Sequence, residues 1–183
     1  MKNPCANTMA KASLAAILAG CAAPNVGTNP LVPENLKVPA GQALSLVSPA
    51  TGAQIYECGA IKTEPPRFEW VFKAPEAELF DLSGQKIGKH YAGPTWESND
   101  GSKVVGEVKA RDDGPAATAI PWLLLAAKST SGSGSGVFSR TQSIQRLYTV
   151  GGKAPAGGCS KAQLGKEARI PYKATYYFYA SKP

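Results

Sequence analysis

The densest group of side chains that could do chemistry lies at residues 89–97, which read KHYAGPTWE. This segment holds the single histidine of the chain, His90, together with Trp96 and Glu97. An imidazole titrates near neutral pH and a carboxylate can pair with it, so His90 and Glu97 are candidate catalytic residues for proton transfer. Trp96 and Tyr91 offer flat faces that could stack on a ligand, and with His90 they are the candidate binding residues.

A purely structural role explains the same segment, and the sequence leaves both interpretations open. In that case Trp96 packs in the core, Glu97 lies outside, and His90 bonds to a backbone group. The two interpretations differ in geometry. An enzyme requires His90 and Glu97 within hydrogen-bond reach of each other in a concave pocket, whereas a structural role does not.

Other patterns argue against most enzyme classes. No serine lies in a Gly-x-Ser-x-Gly turn between a strand and a helix, and the stretch of serine and glycine at residues 129–136 is typical of a loop. Nothing in the spacing of the carboxylates selects two of them for glycoside hydrolysis. Histidine-rich copper and zinc sites are excluded because the side chains are absent, so the sequence predicts neither a metal nor another cofactor.

The N-terminus has the pattern of an export signal followed by a lipidation site. Lys2 and Lys11 accompany an apolar stretch at residues 12–20, which ends in Leu-Ala-Gly directly before Cys21. The stretch is too short to span a membrane, which takes about 20 residues. We therefore expect residues 1–20 to be a lipoprotein signal peptide and Cys21 to carry the lipid. The alternative is an ordinary secretory signal beside which Cys21 stands by coincidence.

The anchor and the charge pattern predict where the protein works and what it contacts. Ala22 after Cys21 resembles the pattern that bacteria with two membranes sort to the outer membrane, so we expect an exported protein held in the cell envelope. The chain has 20 Lys and Arg against 13 Asp and Glu, scattered without a basic run, which argues against nucleic acid as a partner. The expected partners are the membrane, through the anchor, and an envelope polysaccharide or another envelope protein.

Two cysteines are left for the folded domain once Cys5 departs with the signal and Cys21 is acylated. An exported domain usually joins such a pair, so we predict a structural disulfide between Cys58 and Cys159, with two free thiols as the alternative. The chain has no CxxC motif and no cluster of cysteine with histidine. Thiol redox chemistry and zinc binding are therefore poorly supported.

The elements that would position these residues read as β-strands. Residues 21–38 are rich in proline and have no hydrophobic period, which predicts an extended tether. From residue 39 onwards, alternating or aromatic runs are separated by turn residues, with hairpins predicted around Ser83 and around Asn99. The apolar run at 120–127 fits either a buried strand or a buried helix. We predict an all-β fold in which residues 39–183 form a single-domain β-sandwich or barrel of short antiparallel strands.

Three strings of the domain resemble domain-of-unknown-function family 3455: QIYEC at 54–58, WVFKAPEAEL at 70–79 and GKHYAGPTWE at 88–97. Further similarities are IPWLL at 120–124, IQR at 144–146, GC at 158–159 and YYFY at 176–179, so the resemblance spans residues 38–180. It implies an exported protein without an established activity, in which Cys58 and Cys159 belong to the shared framework. It also favours a common site for His90, Trp96 and Glu97, and it supplies no mechanism.

Two functional hypotheses follow. The leading one is a lipid-anchored binding or structural module of the cell envelope, motivated by the anchor, the tether, the aromatic content and the scarcity of catalytic groups. The ligand would be a surface polymer or another envelope protein. The alternative is an envelope hydrolase or other enzyme that uses His90 and Glu97 beside Trp96.

Overall fold

The computed structural model describes residues 27–62 and 65–182. The strands are β1 (Gln42–Ile61), β2 (Arg67–Phe80), β3 (Lys86–Tyr91), β4 (Thr95–Ser98), β5 (Lys103–Asp112), β6 (Trp122–Ser131), β7 (Thr141–Gly151) and β8 (Glu167–Ser181). Each strand pairs with the next in antiparallel fashion, and β1 also pairs with β8, so the sheet closes into a barrel. The predicted all-β fold is confirmed. Of the two predicted architectures, sandwich and barrel, the structure has the barrel.

The helical content of the described residues is small. It consists of two 3-10 helices of three residues each, at Glu34–Leu36 and Lys161–Gln163. No helix in this part of the chain has the length and the apolar character that a membrane-spanning segment needs.

Several strands are longer than the runs predicted from the sequence. Strand β1 extends over 20 residues and takes in both Pro49 and Gly52. Register shifts lie between Leu44 and Leu46 on the β8 side and after Ile55 on the β2 side. Such irregularities bend a strand and increase its twist, so one strand can follow the curved wall where the sequence shows two short runs.

Both predicted hairpins are present, and the ambiguous apolar run is a strand. The turn between β2 and β3 is held by the Asp81 carboxylate, which accepts hydrogen bonds from the backbone N–H groups of Ser83 and Gln85, both at 2.9 Å. The run at 120–127 forms the start of β6, where Leu125 packs inside the barrel and Leu124 packs outside. That alternation is what a strand with both faces covered requires.

Aromatic side chains pack in the interior of the barrel and close one of its ends. Trp96 lies edge-on to Tyr176 and Phe178, with ring centroids 5.4 and 6.0 Å apart. At the end that carries the β4–β5 turn, Phe138 packs against Phe178 at 4.7 Å. The Asp100 carboxylate fixes the loop that carries Phe138, because it accepts the N–H of Val137 at 2.8 Å.

Part of the predicted tether belongs to the folded domain. Leu36 is fully buried on the outer face of the barrel, in a cluster with Trp122 and Leu147, and Val32 packs against the same cluster. The side chain of Gln145 donates a hydrogen bond of 2.6 Å to the Leu36 carbonyl. The sequence predicts residues 21–38 as an extended tether; in the described part of that segment, Val32 and Leu36 instead pack on the barrel and cover the apolar outer face of β6 and β7. The predicted signal peptide, the predicted lipidation site and the first residues of the predicted tether lie outside the described residues.

The predicted disulfide is confirmed. Cys58, near the end of β1, is joined to Cys159, and their Cα atoms are 6.0 Å apart. The backbone supports the bridge from both sides, because the Cys159 N–H donates to the Phe68 carbonyl and the Cys58 carbonyl accepts from Gly165. The bridge fastens the segment between β7 and β8 to the β1–β2 side of the barrel.

Candidate functional site

His90 and Trp96 face each other inside the barrel. They are direct partners across β3 and β4, and their rings stack with centroids 4.4 Å apart and planes 13° apart. His90 is 3% exposed and Trp96 1%. Since side chains alternate along a strand, the neighbouring Lys89, Tyr91 and Glu97 lie on the outer face.

Glu97 belongs to a surface group of charges, and the structure does not bring it to His90. Its carboxylate accepts a hydrogen bond of 2.8 Å from the Tyr91 hydroxyl and lies 3.6 and 3.4 Å from the Nζ atoms of Lys89 and Lys103. The Tyr91 hydrogen bond, followed by Lys103 and Lys89, lowers the pKa of Glu97. This placement corrects the expectation that His90 and Glu97 form one acid–base pair, because the sheet separates them.

The surroundings of His90 fix its protonation state. Its Nδ1 lies 2.8 Å from the Thr95 carbonyl oxygen, and because a carbonyl can only accept, Nδ1 carries the proton. Burial lowers the pKa of His90 to about 3; the Thr95 hydrogen bond opposes this shift and the charge of Arg146 adds to it. The ring is therefore neutral near pH 7. A buried histidine bonded to the backbone is the geometry of the structural interpretation.

His90 and Trp96 line a cavity of about 330 Å³ at the barrel end that carries the β3–β4 turn. Small-molecule sites occupy roughly 300–1,000 Å³, so this cavity is at the lower end of that range. Phe72 and Val108 also line it and are 51% and 50% exposed, which marks the side where it opens. The remaining lining residues are Lys73, Pro75, Ala92, Gly93, Pro94, Leu123, Leu125, Arg146 and Tyr176. Neither Tyr91 nor Glu97 is among the lining residues.

Arg146 is the functional candidate that sequence reasoning missed. It lies on β7 between its partners Leu123 and Tyr176, and it lines the cavity with them. Its Nε and Nη2 donate to the Pro121 carbonyl at 3.1 and 2.9 Å. Within residues 27–62 and 65–182, no carboxylate oxygen lies within 4.0 Å of its guanidinium. The available signal was its position two residues after Ile144, which places both on one face of a strand.

The charge of Arg146 acts on a group of buried rings. Burial raises the pKa of Tyr172 and of Tyr176, and Arg146 works against that shift at both hydroxyls. The two hydroxyl oxygens are 3.3 Å apart. Both phenols therefore stay protonated at neutral pH and provide hydrogen-bonding groups beside the guanidinium. The described residues contain no group of three or more His, Cys, Asp or Glu side chains that could hold a metal ion.

Comparison with protein families gives one match. The family described as "Protein of unknown function (DUF3455)" matches residues 39–180, which cover β1 through nearly all of β8 and so the whole barrel. The match confirms the resemblance suspected from the sequence. None of the curated proteins matches the chain.

Proposed function

The chain belongs to the DUF3455 family of proteins of unknown function, and we propose that it is a lipid-anchored binding module of the cell envelope. Its barrel cavity is the site that holds the ligand, which is small and largely apolar. This proposal keeps the binding hypothesis from the sequence and replaces a surface polymer by a molecule that fits inside the barrel. The enzyme that pairs His90 with Glu97 is not proposed, because the two groups lie on opposite faces of the sheet.

The cavity is the observation that carries this proposal. Barrels of eight antiparallel strands have an interior just wide enough to be filled by side chains or to hold one small ligand. Here one end is filled, by Phe138 and the rings around it, and the other end is open beside Phe72 and Val108. An apolar wall with a few polar groups is the usual composition of a ligand site.

The N-terminal segment suggests how the cavity faces the membrane. Gly27 lies beside Val47 and beside Leu82, which is in the β2–β3 turn. Since successive turns of an antiparallel barrel alternate between its ends, this turn is at the opposite end from the β3–β4 turn that edges the cavity. Gly27 is six positions after Cys21, a reach of at most about 20 Å. An anchor at Cys21 would therefore hold the filled end near the membrane and leave the cavity open to the aqueous side.

An uncharged apolar fluorophore, N-phenyl-1-naphthylamine, tests the cavity directly. We expect the full chain to bind about one molecule, and a Val108→Trp substitution to weaken binding at least about tenfold, because the indole would occupy the opening. Val150→Trp is the matched control, since Val150 is also an exposed valine on a strand and does not line the cavity. The readout is fluorescence titration of the three proteins. Absence of binding to the unaltered chain, or equal weakening by both substitutions, would overturn the proposal.

The anchor is tested by labelling the chain with a radioactive fatty acid in a bacterial host. We expect the unaltered chain to incorporate label and a Cys21→Ser variant to incorporate none, because the thiol of Cys21 is the only acceptor in the lipobox. Cys5→Ser serves as the control, since it also removes an N-terminal thiol and should leave labelling unchanged. Label retained by the Cys21→Ser variant would contradict lipidation at this residue.

A further inference from the structure

We infer that the natural ligand of the cavity is a small molecule with an apolar body and a single carboxylate, and that Arg146 binds the carboxylate. This inference rests on the proposed binding function and adds the chemical class of the ligand.

Arg146 is a half-buried cation that lacks a counter-ion in the described part of the chain. Its Nε and Nη2 donate to the Pro121 carbonyl, and a side-chain hydrogen bond joins it to Tyr176; both of these partners are uncharged. A charge taken out of water is costly unless an opposite charge compensates it. A guanidinium is planar and presents its N–H groups in a fork that matches the two oxygens of a carboxylate. A carboxylate in the cavity would supply the missing charge in that geometry.

The other polar groups of the wall set the charge of the ligand. Lys73 already has counter-ions, because its Nζ lies 2.8 Å from Glu57 and 2.7 Å from Glu167. His90 is neutral in its buried position and Tyr176 is protonated. The wall therefore has one uncompensated positive charge, that of Arg146. A monoanion neutralises this charge, whereas a phosphate dianion would leave a buried negative charge without a partner.

The apolar lining and the volume of the cavity indicate the character and size of the rest of the ligand. Leu123, Leu125, Val108, Phe72 and the ring of Trp96 all line it, and none of them offers a charged group. A volume of about 330 Å³ is at the lower end of the range for small-molecule sites and too small for a two-chain lipid. The geometry points to a short alkyl or aromatic carboxylate.

Three probes of equal chain length test the inference on the full chain: octanoate, octanol and octylamine, each measured by displacement of N-phenyl-1-naphthylamine. We expect octanoate to bind at least about tenfold more tightly than octanol, because a hydrogen bond to a charged group contributes that much or more. Octylamine should bind most weakly, since its charge repels that of Arg146. Equal affinity for octanoate and octanol would overturn the carboxylate inference and leave the apolar site standing. If the chain binds the fluorophore and octanoate does not displace it, the carboxylate inference is wrong; if the chain does not bind the fluorophore, the proposed binding function itself is wrong.

Two variants assign the effect to Arg146. Arg146→Met keeps an unbranched side chain and removes the charge, so octanoate should lose about tenfold or more in affinity while octanol is unaffected. Arg111→Met removes a guanidinium that pairs with Asp113 and does not line the cavity, so it should preserve the preference for octanoate. Loss of that preference in Arg111→Met but not in Arg146→Met would overturn the assignment. If Arg146→Met does not fold, the comparison of octanoate with octanol on the unaltered chain decides the ligand class alone.

Discussion

Replacing Cys58 and Cys159 together by alanine is expected to lower the free energy of unfolding by about 4–5 kcal/mol. The two residues are 101 positions apart in the chain, so the bridge closes a very long loop in the unfolded state. Cross-linking such a loop removes much of the conformational entropy that unfolding would gain. Domains of this size are stable by only about 5–15 kcal/mol, so the double variant should lie near the limit of folding.

Urea unfolding of both proteins, with and without a thiol reductant, measures this effect. Reductant should bring the unaltered chain to about the stability of the double variant, because both then lack the bridge. The double variant is its own control, since its stability should not respond to reductant. A loss below about 1 kcal/mol in the double variant would contradict the entropic role assigned to the bridge.

The features that were predicted correctly from the sequence are those that a few neighbouring residues or the number of cysteines indicate. The hairpin turn at Asp81 depends on a short polar side chain that bonds to the backbone two and four residues onwards, which is a pattern readable from a few letters. The bridge between Cys58 and Cys159 was predicted because Cys5 is expected to leave with a signal peptide and Cys21 is expected to carry a lipid, which leaves two cysteines for the domain. Closure of the sheet had no such signal, because the pairing of β1 with β8 joins residues from the two ends of the domain.

The candidate site was predicted in part, and the reason lies in strand register. Placing His90 and Glu97 on opposite faces requires knowing that β3 and β4 are joined so that His90 pairs with Trp96. The inward position of Arg146 could not be predicted for another reason. On β7, Ile144 packs in the barrel while Gln145 and Leu147 are buried beneath the N-terminal segment, so both faces are covered. A strand buried on both faces loses the alternation from which an inward cation could be recognised.

Lowering the pH from about 6.5 to about 4.5 is expected to cost the protein more than about 2 kcal/mol of stability through His90 alone. The pKa of this histidine is about 3 in the folded chain, against 6.5 for an unperturbed imidazole. Between those values the unfolded chain holds the His90 proton and the folded chain does not. The free energy of unfolding therefore rises with pH across this window, by up to about 1.4 kcal/mol per pH unit, and protonation favours unfolding as the pH falls.

The residues around His90 explain why its protonation is unfavourable in the folded chain, and they indicate which variant isolates its effect. The ring is enclosed by Trp96 and Tyr176, and the charge of Arg146 further disfavours a second cation. Surface carboxylates such as Glu97 also weaken the fold in acid, because their lowered pKa values make the folded chain release protons that the unfolded chain binds. A His90→Gln variant separates the two effects, since its amide can donate to the Thr95 carbonyl and does not titrate. Between about pH 6.5 and 4.5, the unfolding free energy of His90→Gln should fall by about 2 kcal/mol less than that of the unaltered chain, whatever the absolute stability of the variant.

The chain has a single histidine, so one imidazole NMR resonance of the untagged protein reports the same protonation. That resonance should stay unchanged from pH 8 to pH 5, and a titration midpoint near 6.5 in the folded protein would show that the ring is open to water.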